Sequence, residues 1–545
     1  MKKYFKITAL LVIGFMGMAT TIGNQPNDKY FEMIKNIEIF TNLYKEINTY
    51  YVDEVDPGKL MRTGLDAMME SLDPYTNYIS ESDIEGYRFL TDGKYNGIGA
   101  RSKKMGDYVT ITELYKDQPA DRAGLRPGDQ IVAIDGNDTK GKSGDAINAL
   151  LRGFPNTTVQ IAVQRPGTKK PIHLVLTRGE VQVPNVPYSG MVRDDIGYVS
   201  LTTFTRQAGI NVKNAIQKLK KENPSIKGVI FDLRDNGGGL LNEAVNISNI
   251  FIPKGELVVK TKGKVKDWDM SFRTRSAPLD TEIPLVILIN GRSASASEIV
   301  SGVIQDYDRG VLLGQRSYGK GLVQNTKDIG YNSKLKLTTA KYYIPSERCI
   351  QSVEYKDGEP VDIPDEKRTP FKTRNGRTVL DGGGVKPDVF VKKVTDAGVI
   401  KSLVDQNLIF DYVTDYCLKR DSIKNIEAFR FTEMDEFLSF LESKNFQYQT
   451  ESEKLISQLE KMTDKEGYDL DSSLNMLSQK VKVAKKDEIL RYKEEITKLI
   501  EKEIASRYFY QKGKIKMGLR NDIEIEEAVK VINDPSRYRQ LLGNG

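Results

Sequence analysis

The chain has 545 residues, which at about 150 residues per domain gives three or four domains. Its 81 basic and 75 acidic residues leave a net charge of +6, too little for the concentrated basic footprint of a nucleic-acid partner. One histidine, His173, and two cysteines, Cys349 and Cys417, exclude a two-histidine metal site, a four-cysteine zinc site and a disulfide framework. No metal-ligand constellation and no cofactor motif is visible, and any nucleophilic chemistry must draw on a base other than histidine unless it depends on His173.

Residues 1–23 read as an export signal: Lys2 and Lys3 lead an apolar run, and Gly17-Met18-Ala19 offers a small-residue cleavage point. Retained, the same run would serve as an anchor. Residues 24–94 follow as a helical region. Phe40, Leu43, Ile47 and Tyr51 form one stripe, and Met61, Leu65, Met68 and Leu72 another, expected to pack against a neighbour.

From residue 95 to 183 the pattern changes to short strands and glycine turns. Asp117 to Ile131 holds a helical turn closed by glycine and then a strand entry, and Asp135-Gly136 is a hairpin turn. Ala146, Ile147, Leu150 and Leu151 predict a helix ending near Gly153, and Val159, Ile161 and Val163 a strand of period two. This segment resembles a PDZ domain. The resemblance makes Gly97, Ile98, Gly99 and Ala100 the loop whose N–H groups would hold a peptide's terminal carboxylate. Asn156 stands where relatives commonly carry glycine, and asparagine tolerates the left-handed conformation such a turn needs.

Residues 184–395 alternate strand and helix. Ile196 to Leu201, Gly228 to Arg234 and Leu285 to Ile289 are apolar strands. A helix bearing Ile210, Val212, Ile216 and Leu219, another over Leu240 to Ile250, and a third from about Ala296 lie among them. That order predicts parallel strands joined by crossover helices. Residues 396–545 are helical and charged, with Ile489, Tyr492, Ile496, Leu499, Ile500 and Ile504 on one face.

Two strand-to-helix turns carry chemistry: Asp232 to Gly239, with three consecutive glycines, and Asn290 to Glu298, with three serines. A serine at such a turn is presented at the top of the sheet, and N–H groups at a helix start are free to meet an oxyanion. Alone, a serine-rich turn is often a helix cap and a triple glycine a loop. Tyr318 to Gln324 adds Lys320 between two glycines, and a desolvated lysine can take a serine's proton.

Together these segments, with Gly382 to Val389, resemble the C-terminal processing peptidases, also called tail-specific proteases, in the order helical leader, PDZ and peptidase core. The resemblance implies a multidomain α/β protein with a ClpP/crotonase-like core, and a serine endopeptidase acting through a Ser-Lys dyad. It assigns Ser295 as nucleophile, Lys320 as general base and Gln324 as its orienting partner. Gly237 and Ala296 become the oxyanion donors, with Gly238 a second candidate for the first. Ser293 and Ser297 read as capping or packing residues, and residues 354–379 as an insertion before the closing motif. Implied partners are protein or peptide substrates with free C-terminal tails, in a bacterial periplasm or envelope, and no nucleic acid. An activating or anchoring envelope protein is left open. A silent PDZ adaptor and a crotonase-like acyl-CoA enzyme are the competing readings; serine, lysine and glutamine in register count against the first, and the PDZ segment against the second.

Overall fold

The structure is a computed structural model that describes residues 27–351, 355–356, 359–361, 364–392 and 398–544. The export segment, residues 1–23, lies outside these residues. The chain divides into two compact units, one ending at Tyr78 and one beginning at Ile79.

The first unit contains α1 (Asn27–Tyr50) and α2 (Pro57–Glu70). Asp56 caps α2 by accepting the Lys59 N–H at 3.0 Å, and Pro57 opens the helix where no N–H is needed. The Tyr44 hydroxyl donates to the Pro57 carbonyl at 2.8 Å. The predicted stripe is not buried: Phe40, Leu43 and Tyr51 are all exposed. The short strand β1 (Asn77–Ile79) falls on the boundary.

The second unit opens with α3 (Ile84–Asp92), closed by left-handed Gly93. Then come β2 (Lys94–Gly97), β3 (Ala100–Met105), β4 (Tyr108–Leu114), α4 (Pro119–Arg122), β5 (Gln130–Ile134), β6 (Asn137–Asp138) and α5 (Gly144–Leu151). β7 (Thr158–Gln164), β8 (Ile172–Thr177) and β9 (Gly179–Gln182) complete the PDZ module. Its sheet runs β3-β4-β5-β7-β8, with β2 paired to β9. The expected turn residues hold their conformations: Asp135 and Asn156 both have positive φ, 47° and 67°. Val159, Ile161 and Val163 are buried as period two requires, and His173 stands exposed on β8.

The next layer comprises β10 (Tyr188–Arg193), β11 (Ile196–Ser200), α6 (Ala208–Glu222), β12 (Gly228–Asp232), α7 (Leu241–Phe251), β13 (Leu257–Gly263) and β14 (Met270–Arg273). It continues with β15 (Leu285–Ile289), α8 (Ala296–Asp306), β16 (Val311–Gly314), β17 (Leu322–Gly330) and β18 (Ser333–Tyr343). Within the apparent insertion, β19 (Tyr355–Lys356) pairs β20 (Glu359–Pro360), and β21 (Pro370–Lys372) pairs β22 (Thr378–Leu380). β23 (Val389–Phe390) ends the core.

The central sheet runs β10-β11-β12-β15-β16-β23, parallel except for the β10 edge. Its inner strands are buried throughout, as a parallel sheet covered on both faces must be. α6, α7 and α8 cover one face, over Val229, Phe231, Leu285, Ile287 and Ile289. Ile210, expected in the α6 core stripe, instead faces solvent; Val212, Ile216 and Leu219 make the contact. β14, β13, β18 and β17 form a neighbouring antiparallel sheet.

The C-terminal helices are α9 (Gly398–Asp405), α10 (Leu408–Leu418), α11 (Met434–Ser443), α12 (Glu451–Glu466), α13 (Asp471–Lys486), α14 (Glu488–Arg491), α15 (Lys493–Gly518), α16 (Ile523–Asn533) and α17 (Pro535–Leu541). Ile496, Ile500 and Ile504 of α15 sit at the centre of their own core with Val413 and Phe437. α16 leaves that core. Its Ile525, Ala528, Val531 and Ile532 pack on Ile230, Val286, Leu288, Val311 and Leu313, the second face of the central sheet. Burying each large aliphatic side chain there contributes about 1.5–3 kcal/mol. Among the described residues no helix is long and apolar enough to cross a membrane.

Candidate active site

Parallel strands end at one edge of the sheet, and β12 and β15 are neighbours there, so their two following turns meet. Ser295 is the residue before α8 and holds φ 56° and ψ −113°, a conformation a side-chain-bearing residue adopts only under constraint. It is partly exposed, whereas Ser293 and Ser297 are fully buried with their hydroxyls engaged. Ser293 Oγ donates to the Leu233 carbonyl and Ser297 Oγ to the Asn236 carbonyl, each at 2.8 Å. Both flanking serines thus tie the serine turn to the glycine turn.

The tie continues through Asn236, whose carbonyl also accepts the Ala294 N–H at 3.0 Å. Gly238, at φ 95°, lies so close that a Cβ there would stand 2.8 Å from Ser295 Cβ and 2.9 Å from the Ala296 nitrogen. Only glycine fits. The Gly238 N–H is committed to Asn236 Oδ1 at 2.9 Å. Around Gly237 the space is open, with nothing within 4 Å of a Cβ position. Ala296 occupies the first helical position, where an N–H has no partner within the helix.

The backbones of Lys320 and Ser295 share one acceptor, Glu298, to which the sequence assigned no role. Glu298 Oε2 accepts the Ser295 N–H at 2.8 Å and the Lys320 N–H at 2.9 Å. Its Oε1 accepts the Ser317 hydroxyl at 2.6 Å and the Gly319 N–H at 2.7 Å. Burial pushes this carboxyl up to about 7, against the pull of those four donors. A Glu three residues past a serine reads only as a capping box; its further partners sit on a loop that the fold alone delivers.

Two more groups hold that loop. Ser317 Oγ accepts the Val385 N–H at 2.6 Å, and the Val385 carbonyl accepts the Ser317 N–H at 3.0 Å, which is how the closing glycine motif reaches the site. The Tyr342 hydroxyl on β18 lies 3.2 Å from the Ser295 carbonyl and also hydrogen-bonds the Lys320 carbonyl, so one phenol spans both backbones. Gln324 stands near the start of β17, its amide donating to Thr338 Oγ1 at 3.2 Å. Cys349 and Cys417 are free thiols, each partly buried.

In the PDZ module the Gly97 to Ala100 loop joins β2 to β3. Its carbonyls point inward: Gly99 accepts the Tyr115 N–H at 3.1 Å and Ile98 the Ala120 N–H at 2.7 Å. Burial pushes the Tyr95 phenol beside the loop up to about 12, while the amides of Gly99 and Ala100 pull the other way.

A serine on a constrained helix start, set against a glycine turn, is the arrangement a serine peptidase uses. Residues 195–360 match the model of peptidase family S41, residues 110–165 a PDZ-domain model, and residues 399–532 a model described as the probable PDZ-protease C-terminal helical domain. The chain is 32% identical over 394 residues to the carboxy-terminal-processing protease of Bartonella bacilliformis, covering 72% of this chain and 88% of that one. It is 34% identical over 331 residues to a probable CtpA-like serine protease of Staphylococcus aureus, covering 60% of this chain and 65% of that protein. The solved photosystem II D1 C-terminal processing protease is 26% identical and covers 67% of this chain and 96% of its own, with a TM-score of 0.36. The chain belongs to peptidase family S41, with the carboxy-terminal-processing proteases among its relatives, and is a serine protease with a PDZ domain and a C-terminal helical domain.

Proposed function

We propose that the protein is an exported endopeptidase that takes the free C-terminal tails of periplasmic or envelope proteins on its PDZ domain and cuts through a Ser-Lys acyl-enzyme. The observation that carries this reading is the single carboxylate oxygen of Glu298 holding both the Ser295 and the Lys320 backbone. Uncharged Lys320 takes the Ser295 hydroxyl proton as Oγ bonds to the scissile carbonyl carbon. The N–H groups of Gly237 and Ala296 meet the oxyanion, worth about 2.7–4 kcal/mol per donor in comparable sites. The commitment of the Gly238 N–H to Asn236 favours Gly237 as the donor. The lysine ammonium then protonates the departing amine as the C–N bond breaks. Water then bonds to the acyl carbon as the same lysine takes its proton; the C–Oγ bond breaks, and the lysine ammonium returns that proton to Ser295. In this reading Gln324, near the start of β17, orients the lysine, exchanging its bond to Thr338 for one to the amine. The lysine-led apolar run of residues 1–23 supports export.

The test is incubation of the full mature chain with an unstructured reporter ending in an apolar free carboxylate, followed by mass spectrometry. Cleavage is expected from the wild type, rising with pH as the amine loses its proton. It should be lost in Ser295→Ala and Lys320→Ala while tail binding persists. Tail binding without cleavage by the wild type would make the protein an adaptor.

A further inference from the structure

Arg234 belongs to the glycine turn, three residues before Gly237, yet one nitrogen of its guanidinium is held from outside the peptidase core. Its Nε and Nη2 donate to the Asp232 carboxylate, at 3.0 and 2.7 Å to the nearer oxygen in each case. The Asp232 carboxylate also accepts the Arg234 N–H at 2.9 Å and the Tyr198 hydroxyl at 2.8 Å. Arg234 Nη1 reaches instead to the start of α16, donating to Asp522 Oδ2 at 2.9 Å and to Glu524 Oε2.

Each acid does two things. Asp522 Oδ1 caps α16 by accepting the Glu524 N–H at 2.9 Å, while its other oxygen takes the arginine. Glu524 Oε1 accepts Gln315 Nε2 at 2.6 Å at the end of β16. Lys502 of α15, pushed below the usual lysine range by burial, lies within electrostatic reach of Asp522 and Asp235.

The side chains of Arg234, Asp232, Asp522 and Glu524 are 16, 8, 18 and 14% exposed. Ion pairs this deep seldom add net stability over apolar residues, because desolvation offsets the attraction. α16 does not need them for docking, since Ile525, Ala528, Val531 and Ile532 already cover the sheet. What the charges supply is a fixed angle for the arginine, and with it a fixed path for the turn that leads to Gly237.

We infer that Asp522 and Glu524 of the C-terminal helical domain are positioning residues for the oxyanion turn, acting through Arg234. The inference rests on the peptidase reading above. The test uses the full chain as wild type, Asp522→Asn, Glu524→Gln, Asp522→Glu and, as a control, Glu526→Gln. Glu526 sits on the same helix but pairs with exposed Arg193. Expected are a fall in kcat of roughly tenfold or more, the cost of a misplaced reacting group, with KM and tail affinity held, in Asp522→Asn and Glu524→Gln. Asp522→Glu should recover part of the rate and Glu526→Gln all of it. Wild-type kcat in both amide variants overturns the inference, as does a loss in Glu526→Gln as large as theirs, which would mean that only docking of α16 matters. A wild type with no Ser295-dependent cleavage fails at an earlier point: it removes the peptidase reading and the inference with it.

Discussion

Glu298 sits where two opposing demands meet. Both oxygens are filled by donors, one from the serine turn and three from the lysine loop. Burial nevertheless pushes the carboxyl from its ordinary 4.5 up to about 7. The folded chain therefore holds a proton that the unfolded chain releases, so the stability from this group is full below about 4.5 and is lost as pH rises to about 7. Activity should run the other way. Protonated, the carboxyl spends one oxygen on its own proton while four donors still need acceptors, and the Ser295 and Lys320 backbones loosen. Raising pH through neutrality is thus expected to raise kcat while the thermal midpoint declines. Glu298→Gln, neutral at every pH, should flatten that decline and cut kcat by roughly tenfold or more. A glutamine variant with wild-type kcat would remove the carboxylate from the active arrangement. At this scale the sequence exposed the residues of the turns but not their wiring. The single histidine pointed to a serine with a lysine base, but the choice of Ser295 among three serines, and of Lys320, came from the family resemblance, and their catalytic roles are proposed. Glu298 and Tyr342 were not legible, because their partners lie on segments that only the folded sheet brings together.

Elements were legible where local chemistry leaves little choice. Asp135-Gly136 had to turn, and both residues hold positive φ, 47° and 80°. The strands of the central sheet were equally plain, since a run such as Leu285 to Ile289 can only be buried on both faces. Amphipathic stripes said less. Ile210 matched the helical period yet faces solvent, because α6 needs only Val212, Ile216 and Leu219 against the sheet. The PDZ loop carries an element-scale prediction. Gly99 has φ 79°, and a Cβ there would stand 2.3 Å from Gln118 Cβ, just ahead of α4. Gly99→Val must therefore displace the loop from α4 and turn its amides away from an incoming carboxylate. Binding of a tail peptide, followed by fluorescence anisotropy, should weaken by at least about tenfold, or roughly 1.4 kcal/mol. Unchanged affinity in a folded variant would move carboxylate recognition to another part of the module.

For the molecule as a whole, the C-terminal helices decide what can be removed. Residues 396–545 read as an accessory domain, because an apolar stripe announces a covered face without naming what covers it. The structure divides that region's contacts three ways. α15 centres its own core. Tyr510, where that helix breaks at φ 56°, donates its hydroxyl to Asp121 of α4 at 2.8 Å and packs on the PDZ core. α16 supplies the second covering layer of the central sheet. A chain cut after residue 392 would keep every predicted catalytic residue and lose that layer, leaving Ile230, Val286, Leu288, Val311 and Leu313 bare. At about 1.5–3 kcal/mol for each aliphatic side chain returned to water, five of them come to about 7.5–15 kcal/mol, as large as the roughly 5–15 kcal/mol by which a domain is stable. The truncated chain is therefore expected to be insoluble or unfolded, checked by its soluble fraction and circular dichroism. Replacing those five sheet residues with polar ones in the truncated chain should restore solubility without restoring Asp522 and Glu524. A soluble, cooperatively folding truncation without those changes would show that the peptidase core closes its sheet by itself, and that α16 is an addition to it and not a layer of it.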